Sequence, residues 1–395
     1  MMKFLRILSC FALLVLTLIS CKKDNTAAVT VTLSEDIVIL GIGEERQLSV
    51  TGVPAQEVVW SSSDASVATV SVTGMITAYK TGAVDIKATY KDATSVCKLS
   101  VVVGNYQKSW IYDFGQTEGN LSPTSAAGAL SANDGIASHI HALLPAPTSN
   151  QIARIWTGNS NVGGFTLANT ATIGSGARLL FKAPPSTSTS KFSILNIDGT
   201  NLFSIGYQMK LQAGTAVTYK FALGRDASTM DWNTALPSLN ASQFSNNVNF
   251  SPTAALPVFL IMWWDITPNG YQLSIQQKDK SLVAIDATLN PNVTFSNGGE
   301  YDVQIYANNA TSAKKYMKNN EKYSILPGAS HIWVNNHLLL KATGDANFIT
   351  SEMDANATLN AFMFMGLSNT NNAAQVYLDD FKYANYITDL NMLSK

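Results

Sequence analysis

The sequence predicts an all-β chain built as two β-sandwiches, a small one before a larger one. Three observations predict it. Apolar and polar residues alternate with period two in many short runs, the pattern of strands with one buried face. Clusters of Gly, Asn, Asp, Ser and Thr punctuate those runs. No stretch carries the 3.6-residue periodicity of a long amphipathic helix. At 395 residues the chain is long enough to bury large cores, and two or three domains are expected. Charged residues are 13% of the chain and the net charge is −1, with no long basic cluster, so nucleic acid and anionic membrane surfaces are poor partners.

The first element is an export signal. Met1 to Arg6 carries Lys3 and Arg6 and no acid, Ile7 to Leu18 is an almost unbroken apolar run, and Ser20 precedes Cys21. This is a secretory signal peptide, and its apolar run is too short for a bilayer, which takes ~20 apolar residues. Leu18-Ile19-Ser20-Cys21 resembles the lipobox of bacterial lipoproteins. That resemblance implies cleavage after residue 20, acylation of Cys21, and anchoring to the membrane through the lipid at Cys21. Residues 21–28 are then a tether. Cys10 leaves with the signal and Cys21 takes the lipid, so Cys97 remains alone and no intramolecular disulfide is expected. Lys22-Lys23-Asp24-Asn25 has neither an acidic run nor an Asp directly after Cys21. The expected location is the outer membrane of a Gram-negative envelope, with the leaflet left open. The architecture resembles envelope lipoproteins of Bacteroidetes.

Residues 29–103 form the small sandwich. Val29-Thr30-Val31-Thr32-Leu33, Gln47-Leu48-Ser49-Val50 and Val84-Asp85-Ile86-Lys87-Ala88 alternate, with turns at Gly41 and Gly43, Ser61 to Asp64, Thr73-Gly74 and Thr81-Gly82. Val58-Val59-Trp60-Ser61-Ser62-Ser63-Asp64, then Val67 to Val70, Thr73 to Ala78 and Lys80-Thr81-Gly82 resemble the bacterial Ig-like domain, group 2. The resemblance implies a stalk or spacer and a core tryptophan at Trp60. A tight turn is expected to put Gly74 at positive φ. Cys97 alternates with Leu99, Val101 and Val103, so it is expected in the core as a small hydrophobe.

Residues 105–386 form the larger sandwich, and 387–395 a C-terminal tail. Phe203 to Leu211, Val217 to Phe221, Tyr271 to Ile275 and Tyr301 to Tyr306 alternate. Val258 to Trp264 is wholly apolar, which marks a strand covered on both faces, and Pro257 precedes it. His331 to Leu340 reads as a hairpin around Asn335-Asn336. Trp110-Ile111-Tyr112-Asp113-Phe114, Trp333-Val334-Asn335-Asn336 and Val376 to Tyr383 resemble the opening strand, a hairpin and the closing strand of the concanavalin A-like jelly roll. The opening and closing strands are expected to pair. This superfold hosts lectins, hydrolases and lyases alike, so it does not assign a function.

Catalysis finds little support in the residues. A glucanase on this fold needs two carboxylates flanking the scissile bond. Glu352-Met353-Asp354 starts such a motif, but Asn356 and Ala357 stand where the second carboxylate belongs. Gln304-Ile305-Tyr306 resembles the Gln-Ile-His of alginate lyases, with Tyr306 in place of His and Lys314, Lys315 and Tyr316 nearby. Its expected reading is a strand end followed by a basic loop. His139 and His141 lack a third ligand, so no metal site and no cofactor are expected. Asp113, Asp379 and Asp380 leave a calcium site open.

Binding is better supplied. Sugars stack their apolar faces on flat aromatics and offer hydroxyls to amides and carboxylates. Trp263 and Trp264 are adjacent, so one faces the core and the other the opposite face of the strand. Arg154 and Trp156 share a face, as do Asp302, Gln304 and Tyr306. The expected ligand-contacting residues are Trp156, Trp264, Asp302, Gln304 and Tyr306, with no catalytic residue. The expectation is therefore a monomeric, envelope-anchored lipoprotein whose lectin-like domain binds a glycan or polysaccharide from an Ig-like spacer. The alternatives are a polysaccharide lyase or glycoside hydrolase on the same fold, or a structural or adhesive protein with no sugar site.

Overall fold

The computed structural model describes residues 29–104, 106–121, 128–132, 140–148, 150–157, 164–170, 172–183, 189–212, 214, 217–226, 258–367 and 375–393. The expected signal peptide and tether, including Cys21, and His139 and Pro257 lie outside the described residues. The described residues form β-strands and short 3-10 turns, with no α-helix among them.

The small domain packs a four-stranded sheet (Ile37–Gly41, Ala93–Val102, Gly82–Tyr90, Val59–Ser62) on a three-stranded one (Glu45–Gln47, Met75–Ala78, Ala68–Val70). Alternation puts Ile86, Ala88, Cys97, Leu99 and Val101 in its core, and Cys97 is fully buried as expected. Val103, just past the strand end, is exposed instead. Gly74 adopts φ +85°, and a Cβ there would come within 2.7 Å of the Trp60 ring. Trp60 is only partly buried, so it closes the side of this core rather than filling its centre.

The large domain is a sandwich of two antiparallel sheets. The ten-stranded sheet runs Gly119–Asn120, Gly164–Ala168, Arg178–Lys182, Gln375–Ala384, Leu202–Leu211, Glu300–Asn308, Ala329–Val334, His337–Leu338. Ser109–Tyr112 joins it by pairing with Phe381 to Ala384, so the opening and closing strands pair as expected, and Phe348–Ile349 joins by pairing with Ala329 and Ser330. Asn335 and Asn336 both take positive φ (48° and 65°) in the turn of the expected hairpin. The eight-stranded sheet runs Gly128–Ser131, Ile152–Thr157, Thr189–Leu195, Ala361–Leu367, Thr218–Gly224, Val258–Thr267, Gly270–Gln276, Leu282–Ala284.

The inner faces of the two sheets share one aromatic-rich core. Phe381 lies 5.4 Å from Tyr207 and 5.5 Å from Phe362, and Tyr207 lies 5.2 Å from Phe221. Such ring pairs add about 0.5–1.5 kcal/mol beyond their area burial.

Residues 387–393 do not behave as a tail. Ile387 and Leu390 are buried on the outer face of the ten-stranded sheet with Tyr306, Tyr316, Ile325 and Trp333. Just upstream, Ala384 and Tyr386 join the core of the small domain. Asn385 stitches the junction: its backbone N–H donates to the Lys108 carbonyl and its side-chain amide to the Tyr106 carbonyl, while its side-chain oxygen accepts from the Lys108 N–H.

Candidate functional site

The residues expected at one site fall in three places. Trp264 belongs to the sandwich core. It pairs with Tyr219 and Leu273 across the sheet, packs edge-on to Phe295 at 6.1 Å, and is fully buried. Its expected role at the surface is therefore corrected. Parity alone left either tryptophan inward, and the register with the Tyr219 strand turns Trp264 in and Trp263 out.

Asp302, Gln304 and Tyr306 do share a face, as the alternation requires, but that face is not open. The segment 387–393 and the Lys314–Lys318/Glu321–Ile325 hairpin pack on it. Tyr306 is fully buried and donates to Gln304 Oε1 at 2.8 Å; Lys318 donates to the same oxygen at 2.9 Å. The Gln304 amide donates to Asp302 at 3.1 Å and to Asn391 at 2.9 Å. Burial drives the Tyr306 phenol far above its ordinary range, and burial also raises the Asp302 carboxyl. A phenol so placed is not a proton acceptor near neutral pH. Lys315 is drawn away to Glu45 of the small domain at 2.7 Å, and the lysine beside Tyr306 is instead Lys318, through the shared Gln304 oxygen. Gln304 and Tyr306 contact the strap 387–393, through Asn391 and through Ile387 and Leu390, while Asp302 accepts from Gln304.

Glu352 pairs with Lys280 and lies in irregular structure with Asp354, as expected for a loop. Asp113 accepts the Gly115 N–H at 2.8 Å, and Asp379, fully buried, accepts the Ser175 N–H at 3.2 Å. No group of three or more His, Cys, Asp or Glu side chains suited to a metal occurs among the described residues.

The remaining expected residue, Trp156, stands on the outer face of the eight-stranded sheet, and there the register assembles more than the sequence announced. Trp156 is opposite Lys191, Lys191 opposite Met365, Met365 opposite Lys220, and Lys220 opposite Trp263. Ser274 follows opposite Trp263. The row crosses five strands from one tryptophan to the other, so its ends stand about 19 Å apart at ~4.8 Å per strand. Arg154, two residues before Trp156, lies on the same face opposite Ser193.

The row is nearly symmetric about Met365. The Lys220 ammonium sits 3.3 Å from the centre of the Trp263 ring, and the Lys191 ammonium 5.5 Å from that of Trp156. An indole face attracts a cation through its quadrupole. Both lysines are buried at 5% exposure, while Trp156 and Trp263 are partly open. Burial pushes Lys191 down to about 8, helped by the Arg154 charge, and Lys220 down to about 7, against the pull of Asp265. The Trp263 indole N–H donates to Gln276 at 3.3 Å, whereas that of Trp156 is buried with no hydrogen-bond acceptor. Beside the row, Leu195, Ala222, Val258, Ile261, Ala361 and Met363 form an apolar floor.

Lys191, Lys220 and Met365 were missed from the sequence, and Trp263 was named there only as one of an adjacent pair of which either could face outward. The available signal was Lys220 between Tyr219 and Phe221 in an alternating run, which sends the lysine to the face opposite two aromatics. Which residues stand beside it depends on strand order.

Residues 27–101 match the bacterial Ig-like domain (group 2). No curated protein matches the chain. Among solved structures, the chain is similar to the lectin UEA-II complexed with galactose, at 12% identity over 70% of this chain and 98% of that one, with a TM-score of 0.32. It is similar to the binding domain of botulinum neurotoxin DC in complex with SialylT, at 12% identity, 62% and 46% coverage and a TM-score of 0.31; the chain thus spans about half the length of that protein. It is also similar to domain 4 of AbnA, a GH43 extracellular arabinanase from Geobacillus stearothermophilus, in complex with arabinotriose, at 10% identity, 58% and 78% coverage and a TM-score of 0.27.

Proposed function

We propose that this chain is a lipid-anchored protein of the outer membrane that binds a glycan on the outer face of its eight-stranded sheet. The row from Trp156 to Trp263 carries the reading. Two partly open indoles on one sheet face offer stacking surfaces for sugar rings, and Arg154, Gln276 and Ser274 supply polar groups beside them. The signal peptide and the lipobox-like end at Cys21 support anchoring, and the Ig-like module supports display away from the membrane.

The test is affinity electrophoresis of the full chain in detergent, through gels holding a panel of polysaccharides, with the release of unsaturated sugar products followed by absorbance. Retardation without product, weakened in Trp156→Ala and in Trp263→Ala, is expected. Retardation that survives both substitutions moves the site elsewhere, and product formation makes the protein an enzyme. Metabolic labelling with a radioactive fatty acid, expected to be lost in Cys21→Ser, tests the anchor.

A further inference from the structure

Beyond the glycan reading, we propose that the strand Leu282–Ala284 pairs antiparallel with the same strand of a second copy of this chain, joining two eight-stranded sheets into one. The strand is the last of its sheet and is paired on one side only, with Gly270–Gln276. Ser281 to Ala284 are all exposed, Leu282 at 43% and Val283 at 41%. Unpaired N–H and C=O groups on an edge invite another strand, so edges are commonly guarded by charge, proline or a bulge. The edge of the small domain's three-stranded sheet is guarded in this way and reads Glu45-Arg46-Gln47. Leu282-Val283-Ala284 carries neither charge nor proline, and its register is regular.

The backbone fixes the register of the pair. The Ile285 N–H donates to the Leu273 carbonyl and the Gln277 N–H to the Ser281 carbonyl, so residues 281 and 285 bond inward. Alternation along an antiparallel ladder turns the N–H and C=O of Val283 inward as well, and those of Leu282 and Ala284 outward. A two-fold axis at Val283 sets Leu282 opposite Ala284 of the second copy, and Ala284 opposite its Leu282, which pairs every outward group of the strand. An axis at Leu282 or at Ala284 pairs only half of them within the strand. The charges agree with this direction. Lys278 and Lys280 precede the strand, with Asp279 between them, and Asp286 follows it. Antiparallel pairing brings the basic end of each copy to the acid of the other. Lys280 keeps its pair with Glu352 and Asp286 its hydrogen bonds from Thr288, so the ends orient the pair rather than hold it.

This pair takes the place of the single copy expected from the sequence. An edge so short buries less than a standard interface, so paired and single copies exchange in solution. An axis perpendicular to the sheet turns the outer faces of both copies the same way. One consequence rests on the glycan reading: both Trp156–Trp263 rows meet the same polysaccharide, and avidity rises without a new sugar contact. The pairing itself does not depend on that reading.

The experiment oxidises the full chain in detergent carrying Val283→Cys, Leu282→Cys or Val72→Cys, and follows covalent dimer on non-reducing gels with the parent chain as background. At the proposed axis the two Val283 residues are a non-hydrogen-bonded pair with Cα atoms ~4.5 Å apart, within reach of a disulfide. The two Leu282 residues stand about 8–9 Å apart, beyond that reach. Val72, 86% exposed on the small domain, reports chance collisions, and the native Cys97 is fully buried. Val283→Cys is expected to form dimer about tenfold or more faster than the other two. Light scattering of the parent chain, which needs no variant, is expected to give a protein mass that rises toward two copies with concentration. Equal rates in the three variants, or a faster Leu282→Cys, overturn the pairing, as does a mass that stays at one copy throughout. Loss of polysaccharide retardation bears on the glycan reading alone.

Discussion

Replacing Trp264 and Trp263 one at a time separates core from surface at adjacent positions. Trp264 is fully buried, between Phe295 and Phe364 at 6.1 and 6.0 Å. An indole that buries ~200 Å² at ~25 cal/mol per Å² contributes about 5 kcal/mol, reduced to roughly 3–4 by the compactness of real unfolded chains. Trp264→Ala adds a cavity, so a loss of about 3–5 kcal/mol is expected. For a domain of this size that lowers the melting temperature by roughly 6–15 °C. Trp264→Phe is a useful control. The Trp264 N–H is buried with no acceptor, and removing an unsatisfied donor offsets part of the lost packing, so a drop of about 1–2 kcal/mol is expected. Trp263 is partly exposed, and Trp263→Ala is expected to lose less than half as much as Trp264→Ala while weakening glycan retention. The assay is urea unfolding followed by far-UV circular dichroism. If Trp263→Ala proves the more damaging of the two, or Trp264→Ala melts within about 2 °C of the parent, the inward orientation of Trp264 is wrong.

Further outcomes follow from the same structure. Tyr306→Phe removes the hydrogen bond to Gln304 and is expected to lower stability by about 1 kcal/mol without changing glycan retention; lost retention would return that face to the site. Tyr386→Ala removes a large-domain residue from the small-domain core, so calorimetry is expected to show the small domain melting earlier, and an unshifted small-domain transition would refute the shared core. Burial holds Lys220 down to about 7 in the folded protein, against 10.5 for an ordinary lysine, so between those values the unfolded chain binds the extra proton and stability rises with pH. Lys220→Met is therefore expected to flatten the pH dependence of stability over that window, and a parent-like slope in Lys220→Met would argue that another group sets it. Cys97 is fully buried with its thiol pushed up by burial, so it is expected to resist an aromatic disulfide reagent until urea unfolds the small domain; fast labelling of the native protein contradicts its burial.

Much of the architecture was written in local pattern. Strand runs such as Phe203 to Leu211 and the Asn335-Asn336 turn follow from alternation and turn chemistry, which act over a few residues, whereas the pairing of the opening strand with the closing one was expected only from the jelly-roll resemblance. The burial of Cys97 and the positive φ of Gly74 were legible for the same reason. Of the row proposed to bind a glycan, the sequence named Trp156 and left Trp263 and Trp264 as alternatives. Alternation assigns neighbours to opposite faces but does not say which face is inside when both are apolar, as in Val258 to Trp264. The register against Tyr219 and Leu273 decided that.

The sequence by itself determined the two-sandwich all-β plan and the sharing of one face by Asp302, Gln304 and Tyr306. Only the tertiary structure decided that this face is covered, because the residues that cover it come from the Lys314–Ile325 hairpin and from segment 387–393, each brought there by packing. It likewise decided that Trp156, Lys191, Lys220 and Trp263 form one line, since strand neighbours as distant in the chain as Lys191 and Met365 are set by sheet order. Period two fixes the face on which a side chain stands; hydrogen-bonded register fixes what stands next to it.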